Sequence, residues 1–229
     1  SRVELMRARL NRNQIAWRVA QDIPEGAYVN LGIGAPEMVA NYLPVNREVI
    51  IHSENGLLGM GRTPPIGKEN PDLINAGKKP VTLVDGASIF HHTDSFAMIR
   101  GGHLDICVLG AFQVSQSGDL ANWATLDNSR PPSVGGAMDL AVGAKEIFII
   151  TDHCTKDGKP KLLEQCTYPL TGNGVVTRIY TDHALIDVKN NSFVVREIID
   201  GTSFDELQKI TGGRLVIENN YSILNAPDL

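Results

Sequence analysis

The chain has 229 residues and a mass of 24.9 kDa, enough for one large domain or two small ones at roughly 150 residues per domain. With 42% hydrophobic and 21% charged residues and a mean hydropathy of -0.09, the composition excludes a long disordered chain, and no apolar run approaches the roughly 18 residues of a membrane-spanning helix. A formal charge of -5, from 21 Lys plus Arg against 26 Asp plus Glu, with no basic stripe, argues against a nucleic-acid surface and for small-molecule partners. The opening SRVELMRARL is basic and lacks the apolar centre of a secretory signal, so a cytoplasmic location is expected. Cys107, Cys154 and Cys166 are an odd count without a CxxC, which reads as reduced structural thiols.

Ile15, Ala16, Val19 and Ala20 recur at helical spacing, with Asn11 or Asn13 as the cap and Pro24 and Gly26 beyond the end. AYVNLGIG (27–34) reads as a buried strand entering a glycine loop, Pro36 opens a helix, and EVIIHSE (48–54) is a second strand. Residues 55–80 are expected as one long Gly- and Pro-rich loop, a length that is uncommon unless it is functional or packs as an excursion. PVTLVDG (80–86) is expected as a strand, Asp94–Ile99 as a short helix closed by Gly101 and Gly102, and LDICVLGAF (104–112) as a strong strand. A hairpin around QSGD leads to LANWATL, a glycine turn enters a helix near GGAMDLAVGAK (135–145), and EIFIITD is a buried strand. Between 175 and 199, VVTRIYT, HALIDV and FVVREII predict antiparallel strands, with Asn190-Asn191 as a tight turn. Ser203 and Glu206 form a capping box for a last helix. The alternation predicts an α/β fold with a mixed sheet, flanking helices and a β-rich C-terminal third, as one domain over 1–229.

Gly32-Ile33-Gly34 follows a strand, and Glu54 ends the next strand about 20 residues later, the placement of a dinucleotide fingerprint. That fingerprint is incomplete: Glu37 occupies the third glycine position, and the glycines serve equally to allow a sharp turn. Ser53-Glu54-Asn55-Gly56 puts a carboxylate on a strand-end turn that Asn-Gly closes tightly, either facing a ligand at the carboxyl end of a sheet or standing in solvent. No HExxH, Cys-His cluster or GxSxG elbow is present, so neither a zinc site nor a serine nucleophile is expected. Most of the histidines read as turn or edge residues; His91-His92, taken as neighbours on one strand, are the pair kept as substrate donors. Lys78-Lys79 is either a solvated loop pair or a phosphate contact.

The segment IHSENGLLGMG (51–61) resembles the active-site signature of the β subunits of family I coenzyme A transferases. VNLGIGAP (29–36), DLINAGK (72–78), SFAMIRGGHLD (95–105), GDLANW (118–123), GGAMDL (135–140) and YPLTG (168–172) are similar to that family in the same order, over nearly the whole chain. The resemblance implies the open α/β fold of the CoA-transferase halves, with Glu54 as nucleophile toward an acyl-CoA thioester and a glutamyl-CoA thioester as intermediate. It implies Gly135, followed by Gly136, as the oxyanion donor turn. Asn30, Gly32, Gly34, Asn55, Gly56 and Lys78 are then the residues around CoA, Lys78 being suited to a phosphate. A carboxylate is already ionised at neutral pH, so its attack needs no general base, in keeping with the lack of a triad. CoA thioester is then a substrate and no tightly bound cofactor or metal is expected. The resemblance also implies an α subunit that completes the site, in αβ pairs that associate further. The donor implied is succinyl-CoA and the acceptor a 3-oxo acid. The His91-His92 segment and SVGGAMDLA resemble the branch acting on the dicarboxylate 3-oxoadipate more than the acetoacetate branch, with Arg62, His91 and His92 as candidate partners of the second carboxylate. The competing class, a non-catalytic binding protein of the same fold, is disfavoured because Glu54 with Asn55-Gly56 is intact.

Overall fold

The computed structural model describes residues 8–126 and 135–229; the first seven residues of the basic opening segment, and Ser133-Val134 of SVGGAMDLA, lie outside the described residues. Helix α1 (Arg12–Asp22) starts at Asn11, whose side chain accepts from the Gln14 N–H while the Gln14 side chain accepts from the Asn11 N–H. Two helix-end donors are thereby satisfied, and the predicted face of Ile15, Ala16, Val19 and Ala20 is buried. Strand β1 (Tyr28–Leu31) runs through the glycine loop into a 3-10 helix, Ala35–Asn41, where an α-helix is expected. Pro36 and Val39, three apart, are both buried, which the tighter period allows.

Strand β2 (Ile50–Ser53) folds back on β3 (Leu57–Met60), so the predicted loop 55–80 begins with a strand that its Gly-rich sequence conceals. Strand β4 (Leu83–Ile89) starts later than PVTLVDG suggests and pairs antiparallel with β3. Helix α2 (His92–Arg100) starts earlier than Asp94, and β5 (Ile106–Gly110) follows. Strands β6 (Gln113–Ser115) and β7 (Leu120–Ala121) form the QSGD hairpin, and α3 (Ala137–Gly143) leads to β8 (Glu146–Ile150). After β9 (Leu162–Leu163) come β10 (Arg178–Tyr180), β11 (Ala184–Lys189) and β12 (Ser192–Ile199), antiparallel in succession. Asn190 and Asn191 turn that hairpin at φ 51° and 53°, the left-handed region asparagine tolerates. Helix α4 (Phe204–Lys209) carries the Ser203–Glu206 capping box, and β13 (Leu215–Val216) and β14 (Ser222–Leu224) both pair with β12.

The main sheet runs β13-β12-β11-β10-β8-β5-β1-β2-β3-β4, and β9, β6 and β7 form a second, three-stranded sheet. Strands β2, β1, β5, β8 and β10 are mutually parallel, so their carboxyl ends lie on one edge. Alternation divides the core between the two faces. Val29, Ile106, Val108, Phe148 and Ile150 pack toward α1, while Cys107, Leu109, Ile147 and Ile149 pack with Ile99 of α2 and Leu140 of α3. From β1 the chain steps to β2 on one side, then crosses to β5 and β8 on the other. Such a switch point opens a crevice above the carboxyl ends of an α/β sheet, where ligands bind. No helix among the described residues is long and apolar enough to cross a membrane.

Candidate active site

Glu54 stands at that crevice, on the turn joining β2 to β3, and its neighbours are committed to building the turn. Ser53 Oγ accepts from the Ala76 N–H (3.2 Å), and Asn55 Nδ2 donates to the Ile74 carbonyl (2.7 Å), which pins the excursion 61–82 to both shoulders of Glu54. Gly56 adopts φ 117°, its N–H donates to the Ser53 carbonyl (3.0 Å), and any Cβ there would run into the Phe90 carbonyl; only glycine meets both demands. Of the four turn residues, Glu54 alone turns its side chain to the crevice.

Beneath it lies a row of polar residues across three strands. The register aligns Asn30 of β1 with His52 of β2 on one side and Cys107 of β5 on the other. All three are fully buried. Asn30 Nδ2 is 3.2 Å from Glu54 Oε2 and 2.9 Å from His52 Nδ1, His52 Nε2 is 2.8 Å from Ser95 Oγ of α2, and Cys107 Sγ reaches Asn30 Oδ1 at 3.8 Å. Burial lowers the His52 pKa to about 4, although its hydrogen bond with Ser95 favours the proton. Burial, with the charge of Glu54 adding to it, pushes the Cys107 thiol well up, so it stays protonated.

The glycine loop is occupied by the protein itself. The Gly32 N–H donates to the Val108 carbonyl (2.8 Å), and the Gly34 N–H donates to Glu37 Oε2 (3.1 Å). Glu37 also accepts from Asn75 Nδ2 (2.9 Å) and Lys79 Nζ (2.6 Å). A carboxylate thus sits where a dinucleotide fold would hold pyrophosphate, and those two donors are spent, which removes the dinucleotide reading. Glu37 ties the excursion to the loop; the sequence singles it out only as the residue at the third glycine position, and does not single out Asn75.

A cavity of about 950 Å³ opens over the carboxyl ends of β1, β5 and β8 and is lined by Glu54, Gly32, Gly135 and Gly136 among the residues the sequence singles out. Gly135 is exposed; a Cβ there would meet nothing, and its φ is not left-handed. This chain's own packing therefore does not require glycine at 135. Gly136, by contrast, lies against the Phe96 ring. Asn30, Gly34, Asn55, Gly56 and Lys78 do not line the cavity. Asn30 is sealed below Glu54, and Lys78 sits exposed in a turn at φ 62°.

Arg62, His91 and His92, the candidate partners of a second substrate carboxylate, do not line it either. Arg62 donates to the Leu43 carbonyl (3.3 Å). The two histidines are not on a strand: His91 caps α2, accepting from the Thr93 N–H, and His92 is the first residue of that helix. Among the described residues, the cationic ones that do line the cavity are Arg12, Lys156 and Lys161. His153, read as a turn residue, is instead fully buried, its ring nitrogens 2.9 Å from Thr181 Oγ1 and 2.8 Å from Thr211 Oγ1.

Residues 12–209 match the coenzyme A transferase family, and the chain belongs to it. It is 60% identical over 208 residues, 91% of this chain and 96% of the relative, to the B subunit of 3-oxoadipate CoA-transferase from Acinetobacter baylyi. It is 48% identical over 200 residues, 87% of this chain and 96% of the relative, to the B subunit of succinyl-CoA:3-ketoacid coenzyme A transferase from Helicobacter pylori. Among solved structures, the acyl-CoA transferase YdiF of Escherichia coli O157:H7 superposes with a TM-score of 0.74 at 20% identity, over 94% of this chain and 43% of that longer one. The expected α/β fold of this family is the fold observed.

Proposed function

We propose that this chain is the Glu54-bearing half of a CoA-transferase that moves CoA from succinyl-CoA to a 3-oxo acid, 3-oxoadipate in the first place. One observation carries the reading: a cavity-facing carboxylate on a turn whose other side chains are used up as scaffold. The Glu54 carboxylate attacks the thioester carbon, the C–S bond breaks, and CoA leaves as thiolate from an acyl-glutamyl anhydride. The thiolate attacks the glutamyl carbonyl, succinate departs with the C–O electron pair, and CoA remains as a glutamyl thioester. The acceptor carboxylate then repeats both steps in reverse, so neither water nor a net proton is consumed. Each attack builds an oxyanion, and the Gly135 backbone, unobstructed by a side chain, is the donor this chain offers it.

The open cavity and the relatives named as B subunits support an α subunit as the other wall of the site. The same names support 3-oxoadipate first, with acetoacetate-type acceptors as the second reading. A second substrate carboxylate needs a charge-assisted partner once water leaves. Arg12, Lys156 and Lys161 of this chain, or a cation of the α subunit, are the groups placed to supply it.

The test is to co-express the chain with an α subunit, incubate with succinyl-CoA, digest, and locate CoA by mass spectrometry. CoA on the peptide containing Glu54, and none in Glu54→Gln, is expected; CoA confined to another residue would overturn the mechanism. Comparing kcat/KM for 3-oxoadipate and acetoacetate then decides the acceptor.

A further inference from the structure

We infer that His52, anchored by Ser95, is a positioning residue that fixes the direction of the Asn30 amide and through it the carboxylate of Glu54. The inference rests on the proposal that Glu54 is the nucleophile. It follows from donor and acceptor accounting. A carboxylate only accepts, so the Asn30 atom 3.2 Å from Glu54 Oε2 is the nitrogen, Nδ2. The same nitrogen lies 2.9 Å from His52 Nδ1; Nδ1 must therefore accept, and in a neutral ring the proton is on Nε2. Nε2–H then donates to Ser95 Oγ at 2.8 Å, and the Ser95 hydroxyl directs its own proton to the Ser53 carbonyl at 3.4 Å, on the turn itself. On the far side, Cys107 S–H donates to Asn30 Oδ1 at 3.8 Å. Every proton in the row has one acceptor and every direction agrees.

Were the proton on Nδ1, or the ring charged, two N–H groups would face each other across 2.9 Å. The Asn30 amide would have to rotate, presenting Oδ1 to a carboxylate. The titratable groups facing His52 through this row are Cys107 and Glu54, and its ring stacks on Phe90 with centroids 6.5 Å apart. The row has no solvent to redirect it, because Asn30, His52, Ser95 and Cys107 are all sealed. A carboxylate held by one oxygen presents the other to the cavity in a fixed orientation, and that orientation is where the rate is affected.

The experiment uses the α-complexed enzyme with 15N-labelled histidine. His52 is expected as the neutral Nε2–H tautomer from about pH 8 to about pH 5.5, well below the reference histidine midpoint of about 6.5; an Nδ1–H tautomer, or a midpoint near the reference value, would overturn the inference. His52→Leu, which keeps bulk and removes both nitrogens, is expected to lower kcat about tenfold with KM for succinyl-CoA held within about twofold. His52→Gln, with one acceptor and one donor, should recover most of that loss. If His52→Leu does not fold, Ser95→Ala, which removes the anchor together with the long contact to the Ser53 carbonyl, is expected to lower kcat about threefold at an unchanged KM. Wild-type kcat in both variants, or a loss confined to KM, would refute the positioning role. Formation of the Glu54 adduct is followed alongside: a wild-type enzyme that forms none refutes the Glu54 reading and, with it, this inference's effect on rate. An adduct formed by His52→Leu at the wild-type rate refutes the inference alone.

Discussion

Lowering the pH from about 8 to about 5 should cost this fold about 4 kcal/mol, and the cost traces to two buried neutral histidines. Burial lowers His52 from 6.5 to about 4. Burial, with His183 adding repulsion and Asp182 opposing it, lowers His153 from 6.5 to about 3. A depressed histidine pKa means that the unfolded chain binds the proton first, so the stabilisation is complete above about 6.5 and is lost as pH falls toward the folded value. At about pH 5 each ring forfeits about 2 kcal/mol, and between about pH 6 and 5 the slope is about 2 kcal/mol per pH unit. Asp182 and Asp187 act in a lower window. Burial works against both charges, but His183 and the His153 N–H hold Asp182 below its ordinary value, and Arg178 and Arg196 do so for Asp187. Their contribution is therefore lost only as pH falls below about 4. Guanidinium unfolding at stepped pH, with constant m-values as the check on two-state behaviour, reads the slope. His153→Gln, which keeps polar contacts for Thr181 and Thr211 but cannot titrate, should halve it. A stability flat between about pH 7 and 5, or a slope unchanged in His153→Gln, would refute the reasoning.

Gly56→Ala should destabilise by about 2 kcal/mol or more, because the residue adopts φ 117° and its Cβ would strike the Phe90 carbonyl; thermal unfolding with the residual kcat measures both the fold and the turn. Asp22→Asn should cost about 3 kcal/mol, since Asp22 accepts from Arg18 (2.8 Å), Arg178 (3.1 Å) and Tyr180 (2.7 Å), and a neutral amide leaves two half-buried guanidiniums short of charge. A loss under about 1 kcal/mol in chemical denaturation would show that Glu197 and Asp187 suffice for the two arginines.

Much of the fold is legible in the sequence because its strongest strands are parallel and buried on both faces. ICVLG and EIFII are near-continuous apolar runs whose only reading is an interior strand. Strand β3 escapes because LLGM between Gly56 and Gly61 carries loop composition, and its pairing with β2 is a tertiary fact. His91-His92 mislead for a related reason: adjacency on the chain suggests a strand, whereas the Thr93 N–H and the polar run after it start a helix at that point. His52 passes without notice in IIHS, yet a signal was present. YVNL places Asn30, and IIHS places His52 and Ser53, in buried positions, and buried polar residues on neighbouring strands are stable only if each finds a partner.

The turn shows why four consecutive letters can carry so much. A carboxylate beside a sheet edge is free to rotate among several rotamers, and fixing it costs entropy that some other contact must offset. Here the cost is spread over elements far apart in sequence: Ile74 and Ala76 hold the shoulders, Phe90 sets the limit at Gly56, and Asn30 fixes one carboxylate oxygen from below. The remaining oxygen takes no part in that scaffold, and Glu54 is the residue of the turn that faces the cavity. Conversely, the cationic residues that line the cavity among the described residues, Arg12, Lys156 and Lys161, come from α1 and from the loop after β8. They share no motif with Glu54, so nothing in the chain order links them to it. On the proposed function, reactivity is compressed into one turn and is readable there, while specificity is distributed over strand ends and the wall proposed for the α subunit, and is readable only once the sheet is assembled.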